Sequence, residues 1–225
     1  MISKLTVCVL IPAYNEEKQI GPLILDVQGR GYAVLGVDDG STDSTAQVIK
    51  DSGANLIRLA LNQGKGAAIR TGFDWVVKNG YEGVIIMDAD GQHAPEQLDD
   101  FLRALDAGTA DVVVGNRMNE PRGMPFLRRW TNRVMSWFIS FVARQRIPDT
   151  QCGYRALTRE TLKSISLSTR RFEIESEILM VAARRSLKIK SIPIHSVYRD
   201  ETSHIRPLAD TLRFLKFYFS FIFYQ

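Results

Sequence analysis

Two carboxylates separated by one residue, Asp88 and Asp90, stand at the end of an apolar run at 84–87. Side chains alternate across a β-strand, so both carboxylates would leave the same face of a strand that ends there. Gln92 keeps that parity if the backbone stays extended through Gly91. Three hard oxygen ligands suit Mg²⁺ or Mn²⁺, which keeps positions open for phosphate oxygens. The spacing therefore predicts a metal site at Asp88, Asp90 and Gln92, although an isolated pair of this kind could merely solvate a strand end.

Predicted strands and helices alternate through the first half of the chain. These elements must position the two carboxylates. The predicted strands are 5–11, 33–37, 55–60, 84–87 and 111–115, and the predicted helices are 16–29, one ending near 53, 66–78 and 95–107. This alternation predicts an α/β fold with a Rossmann-like, mostly parallel sheet and helices on both faces. Ligands of such sheets bind outside the carboxyl ends of the strands. Residues 12–17, 38–43 and 88–92 all fall at that edge.

The pattern changes after residue 115. The sequence predicts loops at 116–125 and 149–155, helices at 126–144 and 172–186, and strand structure at 188–199 broken at Pro193. We interpret residues 1–205 as one domain, in which 1–116 handle the nucleotide and metal and 117–205 handle the acceptor.

Charge is divided unevenly between these two halves. Residues 1–116 carry a net charge of −7 and residues 117–171 a net charge of +9. A basic block after an acidic half indicates an anionic partner. The block lacks the aromatic and glycine signature of nucleic-acid binding, so we expect no nucleic acid; discrete phosphates or an anionic membrane surface would explain it.

Location follows from what the chain lacks. Its two cysteines do not make a disulfide framework, which favours a reducing compartment. We find no signal peptide, and no apolar run approaches the roughly 20 residues that span a bilayer. We therefore expect a cytoplasmic location.

The segment after the first strand decides how a nucleotide could be held. Neither a dinucleotide-binding glycine motif nor a P-loop is present, because residues 12–17 read PAYNEE. Side chains must then hold the nucleotide: Tyr14 could cover a base or ribose, and Glu16 and Asp39 could accept hydrogen bonds from it. Alternatively, Asn15 and Glu16 simply cap the first helix. The turn at 62–66, with Lys65, resembles a phosphate cradle at a helix N-terminus, and a plain glycine turn is the alternative.

Six motifs occur in order along residues 5–205: IPAYNEE at 11–17, VDDGSTD at 37–43, NQGKGAA at 62–68, MDADGQH at 87–93, GNR at 115–117 and DTQCGYRALTR at 149–159. The ordered set resembles the family 2 glycosyltransferases of the GT-A fold, in particular the dolichol-phosphate mannose synthase-like branch. The resemblance implies transfer of a sugar from a nucleotide diphosphate donor to a polyprenyl or dolichyl phosphate. It also implies inversion at the sugar and a divalent metal, Mg²⁺ or Mn²⁺.

The resemblance also assigns residues by motif position. Nucleotide contacts are implied at Pro12, Tyr14, Glu16, Val37 and Asp39. Metal and diphosphate contacts are implied at Asp88, Ala89, Asp90 and Gln92, and basic contacts at Arg117, Arg133 and Arg199. Where the family usually has a Ser-Lys pair, this chain has Ser203 and His204, and a histidine is mostly neutral at pH 7. We keep His204 as a candidate phosphate contact without a permanent charge.

The charge of the acceptor shapes the expected chemistry. A phosphate monoester is already an anionic nucleophile, since its second pKa is about 6. The enzyme must then overcome repulsion, for which a metal on the leaving group and arginines on the acceptor suffice. We therefore name five catalytic candidates: Asp90, Arg117, Arg133, Asp149 and Arg155. We interpret Asp149 as an orienting group for Arg155, with a role as catalytic base as the alternative, and treat His93, His195, Glu173 and Glu175 as structural.

Other functions stay open at this point. The donor is GDP-mannose by resemblance, and UDP-glucose or a UDP-N-acetylhexosamine are alternatives. A soluble hydroxyl acceptor would need a base such as Asp149. A sugar-phosphate nucleotidyltransferase would share the sheet but would need a glycine-rich loop after the first strand. A non-catalytic sugar-nucleotide sensor is the remaining alternative.

The last segment, 206–225, is predicted to be an amphipathic aromatic helix. Its apolar part, 214–224, covers only about half of a ~30 Å hydrocarbon core, so it cannot span. We expect it to lie in the interface at the cytoplasmic membrane face, as a peripheral anchor. A core helix, a homo-oligomer contact or a membrane-subunit partner would also bury it.

Overall fold

The structure, a computed structural model, describes residues 2–119, 121, 123–195, 218, 219 and 221. Within these residues the chain forms a seven-stranded sheet flanked by helices. The strands are β1 Val7–Ala13, β2 Ala33–Asp38, β3 Asn55–Arg58, β4 Gly83–Ile86, β5 Val112–Asn116, β6 Arg155–Thr158 and β7 Ile189–Pro193. The helices are α1 Ile20–Gly29, α2 Thr45–Asp51, α3 Lys65–Lys78, α4 Leu98–Asp106 after a 3₁₀ turn at Pro95–Gln97, α5 Phe126–Ala143, α6 Arg159–Ser164 and α7 Glu173–Arg184.

The sheet order is β3-β2-β1-β4-β6-β5-β7. Every neighbouring pair is parallel except the two that involve β6, which confirms the predicted mostly parallel sheet. After β1 the chain builds β2 and β3 on one side and then returns to place β4 on the other. The carboxyl ends of β1 and β4 therefore meet where the strand order reverses, which is where such sheets bind ligands.

Close packing at two glycines places helices on both faces of the sheet. Leu10 of β1 pairs with Leu35 of β2, so the next residue, Gly36, faces the opposite way. A Cβ on Gly72 of α3 would lie 2.4 Å from Leu10, whereas a Cβ on Gly36 would lie 2.7 Å from Ile49 of α2. Helices α3 and α2 therefore cover opposite faces, as predicted.

Strand β6 and helix α6 were not predicted. The expected polar loop at 149–155 ends one residue early, because Arg155 begins β6 and pairs with Ile86 of β4 and Val114 of β5. Four residues that start with an arginine show no alternating pattern. Hydrogen bonds from both neighbours make this segment a strand, and such long-range pairing leaves no local signal.

The end of the chain lies mostly outside the described residues. These exclude Arg199, His204, the domain boundary at 205 and most of the predicted tail helix 206–225. Of that tail, Tyr218, Phe219 and Phe221 are described and helical; Tyr218 and Phe221 are buried, and the Tyr218 ring packs on Phe138 with centroids 5.2 Å apart. The interfacial tail stays a prediction. In the part of the chain that is described, no helix is long and apolar enough to cross a membrane.

Candidate active site

The acidic pair lies at the carboxyl end of β4, in the crevice predicted from the topology. Strand β4 ends at Ile86, and the chain turns at Ala89 and Asp90. Gly91 has a φ of 71°, so the backbone is not extended there, and the condition set for Gln92 is wrong. The backbone N–H of Gln92 instead donates to Asp90 Oδ1 at 3.0 Å. Strand alternation therefore does not place Gln92 beside the carboxylates, and its role as a ligand stays a prediction.

Asp88 is surrounded by groups that fix its carboxylate. Lys65 Nζ lies 2.6 Å from Asp88 Oδ1, and the Asp88 backbone N–H donates to His93 Nδ1 at 3.2 Å. A Cβ on Gly153 would lie 2.3 Å from Asp88 Oδ2, so any larger residue there would displace the carboxylate. Burial, the largest single influence, would raise the pKa of Asp88, but the charge and hydrogen bond of Lys65 together with the charges of His93 and Arg117 lower it to about 2.

The pKa of Asp90 is shifted in the opposite direction. Burial and the neighbouring charge of Asp88 raise its pKa. A carboxylate whose proton affinity is raised by a neighbouring carboxylate also has a raised affinity for a cation.

Asp88 and Asp90 carry hard oxygen donors of the kind that Mg²⁺ and Mn²⁺ bind. The Lys65 ammonium already places a positive charge on Asp88 Oδ1. Among the described residues no cluster of three His, Cys, Asp or Glu side chains is arranged to hold a metal. Two carboxylates would therefore supply the protein's charged ligands, and amide, water or phosphate oxygens the rest, as is usual for Mg²⁺.

The predicted phosphate cradle at 62–66 is wrong in one respect, because three of its backbone N–H groups are already bound within the domain. Those of Gln63 and Gly64 donate to the two oxygens of Asp39 at 2.8 and 2.7 Å, and that of Gly66 donates to the Arg170 carbonyl at 2.8 Å. These three amides therefore do not face a ligand, whereas the Lys65 side chain enters the site beside Asp88.

Lys65 also joins the two halves of the domain. Its Nζ lies 2.7 Å from Glu175 Oε1 on α7 as well as 2.6 Å from Asp88 Oδ1. Although the Lys65 side chain is mostly buried, which by itself would lower its pKa, the two carboxylates raise that pKa above its usual value. Glu175, interpreted from sequence as structural, is thus part of the site's charge network.

The loops after β1 and β2 meet at the same edge. Pro12 and Val37 are buried strand partners, and Ala89 is buried beside the acidic pair, while Tyr14 is 39% exposed. The Glu16 backbone N–H donates to Thr45 Oγ1 at 2.8 Å. Helix α1 starts later than predicted, with Gln19 as its N-cap, so Asn15 and Glu16 do not cap it.

Arg117 and Asp149 form the most buried ion pair of the site. Arg117 donates through Nε at 2.7 Å and its backbone N–H at 3.0 Å to Asp149 Oδ2, and through Nη2 at 2.9 Å to Oδ1. Asn132 Nδ2 and the Gln151 backbone N–H donate to Oδ1 at 2.8 and 3.3 Å. Burial would raise the pKa of Asp149, but the Arg117 charge and these hydrogen bonds hold it below its usual value.

Known proteins that resemble this chain perform sugar transfer. Residues 8–166 match the family model described as Glycosyl transferase family 2. The chain is 31% identical over 214 residues to the UDP-N-acetylglucosamine–dolichyl-phosphate N-acetylglucosaminyltransferase of Methanococcus voltae, covering 85% of each chain. It is 32% identical over 210 residues to the polyprenol monophosphomannose synthase of Mycolicibacterium smegmatis, covering 85% of this chain and 77% of the relative. The chain belongs to the family 2 glycosyltransferases.

A solved structure supports the fold of this family 2 glycosyltransferase. Glucosyl-3-phosphoglycerate synthase from Mycobacterium tuberculosis, in complex with Mn²⁺, UDP and phosphoglyceric acid, superposes with a TM-score of 0.74 at 19% identity. The match covers 97% of this chain and 77% of that one. The predicted GT-A fold is therefore confirmed.

Within this glycosyltransferase, the proposed link between Asp149 and Arg155 is wrong. Asp149 orients Arg117. Arg155 is 1% exposed and donates to three backbone carbonyls, Cys152 at 2.7 Å, Thr150 at 2.8 Å and Glu175. Since the guanidinium is enclosed by main chain, Arg155 braces the loop between α5 and β6 and does not reach a substrate.

Sequence reasoning missed two residues that shape the site. Asn132 on α5 binds Asp149, and Gly153 makes room for Asp88. The glycine inside the 149–159 motif was a usable signal, since a glycine in a polar loop often marks a close approach. Nothing local distinguished Asn132.

The other basic residues predicted to contact phosphate are Arg133, Arg199 and His204. Arg133 is exposed on α5, one residue from Asn132 and on a different side of the helix. Its role at a phosphate stays a prediction, as do those of Arg199 and His204, which the structure does not describe.

Proposed function

We propose that this glycosyltransferase moves a hexosyl group, with inversion, from a nucleotide diphosphate donor to a polyprenyl phosphate at the cytoplasmic face of a membrane. Mannose from GDP-mannose is the first candidate donor. UDP-glucose and UDP-N-acetylhexosamines are the alternatives, and one relative is named for UDP-N-acetylglucosamine.

The choice of acceptor rests on the burial and hydrogen bonding of the Asp149 carboxylate. A hydroxyl acceptor needs a base to take its proton. Asp149 is 0% exposed, its two oxygens accept five N–H donors, and its pKa lies below the ordinary range. A carboxylate held in this way is a poor base. The site is therefore better suited to an acceptor that is already an anion, such as a phosphate monoester.

The positively charged side chains of the site would offset the repulsion between donor and acceptor. Two phosphorylated reactants must approach each other, and Arg117 lies near enough to Asp88 to lower its pKa. With its guanidinium oriented by Asp149, Arg117 would bind phosphate oxygens in a fixed direction. Lys65 and the arginines of α5 supply further positive charge. Attack by the acceptor oxygen on C1, opposite the leaving diphosphate, inverts the anomeric centre.

A divalent metal completes the donor side of the proposal. Asp88 and Asp90, with Gln92 as a further candidate, would hold Mg²⁺ or Mn²⁺, which acts as a Lewis acid on the departing diphosphate. Tyr14, Glu16 and Asp39, with Pro12, Val37 and Ala89, would form the nucleotide pocket around it.

The test compares two acceptors that differ in one group. Labelled GDP-mannose, UDP-glucose and UDP-N-acetylglucosamine are each incubated with Mg²⁺ or Mn²⁺ and either a polyprenyl phosphate or the corresponding free polyprenol. We expect label to enter the organic phase with the phosphate alone and for one donor above the others. Asp90→Ala should abolish the transfer. Equal transfer to the free alcohol, or none to the phosphate with any donor, would contradict the proposal.

A further inference from the structure

His93 lies at the end of the turn that carries Asp88 and Asp90, and its side chain is only 4% exposed. Its Nδ1 atom accepts a hydrogen bond from the Asp88 backbone N–H at 3.2 Å. Within the same turn, the Gln92 backbone N–H donates to Asp90 Oδ1 at 3.0 Å. These two hydrogen bonds close the turn, and the imidazole is the acceptor for the residue that bears the first carboxylate.

The hydrogen bond from Asp88 limits what the His93 ring can do. A ring nitrogen that accepts from an N–H carries no proton, so near neutral pH the imidazole is neutral and its proton is on Nε2. Neither nitrogen then has a free lone pair for a metal ion. His93 therefore acts on the site through the Asp88 backbone and not as a metal ligand.

Aromatic stacking fixes the orientation of this imidazole. The His93 ring stacks on the buried Tyr154 ring, with centroids 4.9 Å apart and planes 24° from parallel. Tyr154 in turn stacks on Phe101 of α4 at 4.1 Å, and its hydroxyl donates to the Ala94 carbonyl at 3.3 Å. The three rings tie the turn after β4 to the segment before β6 and to α4. The acceptor nitrogen is therefore held in a fixed place.

We propose that His93 is a positioning residue for the acidic pair: its Nδ1 atom holds the Asp88 backbone and keeps the Asp88 and Asp90 carboxylates in the arrangement that binds a cation. The link to a metal rests on the proposed function, in which these carboxylates hold Mg²⁺ or Mn²⁺. Groups that orient the ligands of a metal change its affinity by about 10–100-fold when they are replaced. His93 should have an effect of this size although it does not touch the ion.

Two substitutions separate hydrogen bonding from packing. His93→Phe keeps an aromatic ring for the stack on Tyr154 but removes the acceptor. His93→Asn removes the ring, but its Oδ1 atom is as many bonds from Cα as Nδ1 is and can accept from the Asp88 N–H. If His93 acted only by packing, phenylalanine would preserve the site better than asparagine. The positioning role predicts the opposite order.

Electron paramagnetic resonance of Mn²⁺ measures the effect on the site. The proteins are compared near neutral pH, at a temperature at which thermal melts show each of them to be folded. We expect His93→Phe to weaken Mn²⁺ binding by at least about tenfold and His93→Asn to weaken it by less than about threefold. The matched control, His195→Phe, makes the same change at an exposed histidine and should leave Mn²⁺ binding unchanged.

Amide hydrogen exchange tests the contact without a metal. In metal-free protein the Asp88 amide, resolved by nuclear magnetic resonance, should be protected in wild type and in His93→Asn. It should exchange at least about tenfold faster in His93→Phe, because its acceptor is gone. An unprotected Asp88 amide in wild type would overturn the role of His93, and this measurement needs no variant to fold.

The outcomes distinguish the role of His93 from the proposed function. If the enzyme transfers no sugar to a polyprenyl phosphate but Mn²⁺ binding follows the expected order of variants, the proposed function fails and the role of His93 stands. If wild type transfers sugar but His93→Asn weakens Mn²⁺ binding as much as His93→Phe or more, the positioning role fails and the proposed function stands. If wild type binds no Mn²⁺, the metal of the proposed function is wrong, and the exchange rates alone decide whether His93 fixes the Asp88 backbone.

Discussion

Replacement of Asp149 should destabilise the folded enzyme far more than the loss of an ordinary surface carboxylate. In Asp149→Ala the Arg117 guanidinium, itself buried, keeps its charge and loses its anion, and Asn132 loses its acceptor. Removing one partner of a buried ion pair typically costs about 3–5 kcal/mol. For a chain of this size each kcal/mol lowers the melting temperature by roughly 2–4 °C, so we expect a fall of roughly 6–20 °C.

Urea unfolding and thermal melts of four proteins test this magnitude. Beside wild type and Asp149→Ala, the double variant Arg117→Met/Asp149→Leu removes both charges and should lose less stability than Asp149→Ala alone. The control is Asp100→Ala, which breaks an exposed pair with Arg103 and should cost no more than about 1 kcal/mol. A loss below about 1 kcal/mol in Asp149→Ala, or a double variant that loses at least as much stability as Asp149→Ala, would refute the buried-pair reasoning.

The same pair predicts a pH dependence with a definite sign. The pKa of Asp149 is lower in the folded state than in the unfolded chain, where an aspartate titrates near about 3.9. A lowered folded pKa contributes stability that is fully present above the unfolded value and is lost as the pH falls below it. The stability difference between wild type and Asp149→Asn should therefore be constant above about pH 5 and shrink below about pH 4. A difference that shrank on raising the pH would show that the sign is wrong.

Two further predictions concern the proposed metal site and are read from Mn²⁺ binding alone, by electron paramagnetic resonance. Lys65→Met removes the cation that lies between Asp88 and Glu175, so Mn²⁺ should bind at least about tenfold more tightly; weaker binding would mean that Lys65 helps to build the site. Gly153→Ala places a methyl group against the Asp88 carboxylate and should weaken Mn²⁺ binding by at least about tenfold, whereas Gly29→Ala, where nothing lies within 4 Å, should leave it unchanged.

Short-range patterns in the sequence were enough to predict much of this enzyme. The βαβ alternation, the placement of Asp88 and Asp90 after a buried strand, and the ordered motifs predicted the sheet, the crevice and the family. These features depend on residues that are close in sequence, where strand alternation and helical periodicity act directly. By contrast, strand alternation did not place Gln92 beside the two carboxylates, because the positive φ of Gly91 ends the extended conformation within one residue.

Only the tertiary structure decided which charges meet. Lys65 pairs with Glu175, which lies 110 positions away in the sequence. Asp149 pairs with Arg117 and accepts a hydrogen bond from Asn132 on α5. Arg155 does not pair with Asp149, because it lies in β6 and its guanidinium binds backbone carbonyls. Hydrophobic periodicity does not show which side of α5 the domain covers, because the buried residues of this helix include the polar Asn132 and Ser136. Packing against the rest of the domain buries that side and leaves Trp130, Trp137 and Phe141 exposed. Contacts between distant segments are selected by the whole fold, and for that reason they leave no local pattern to read.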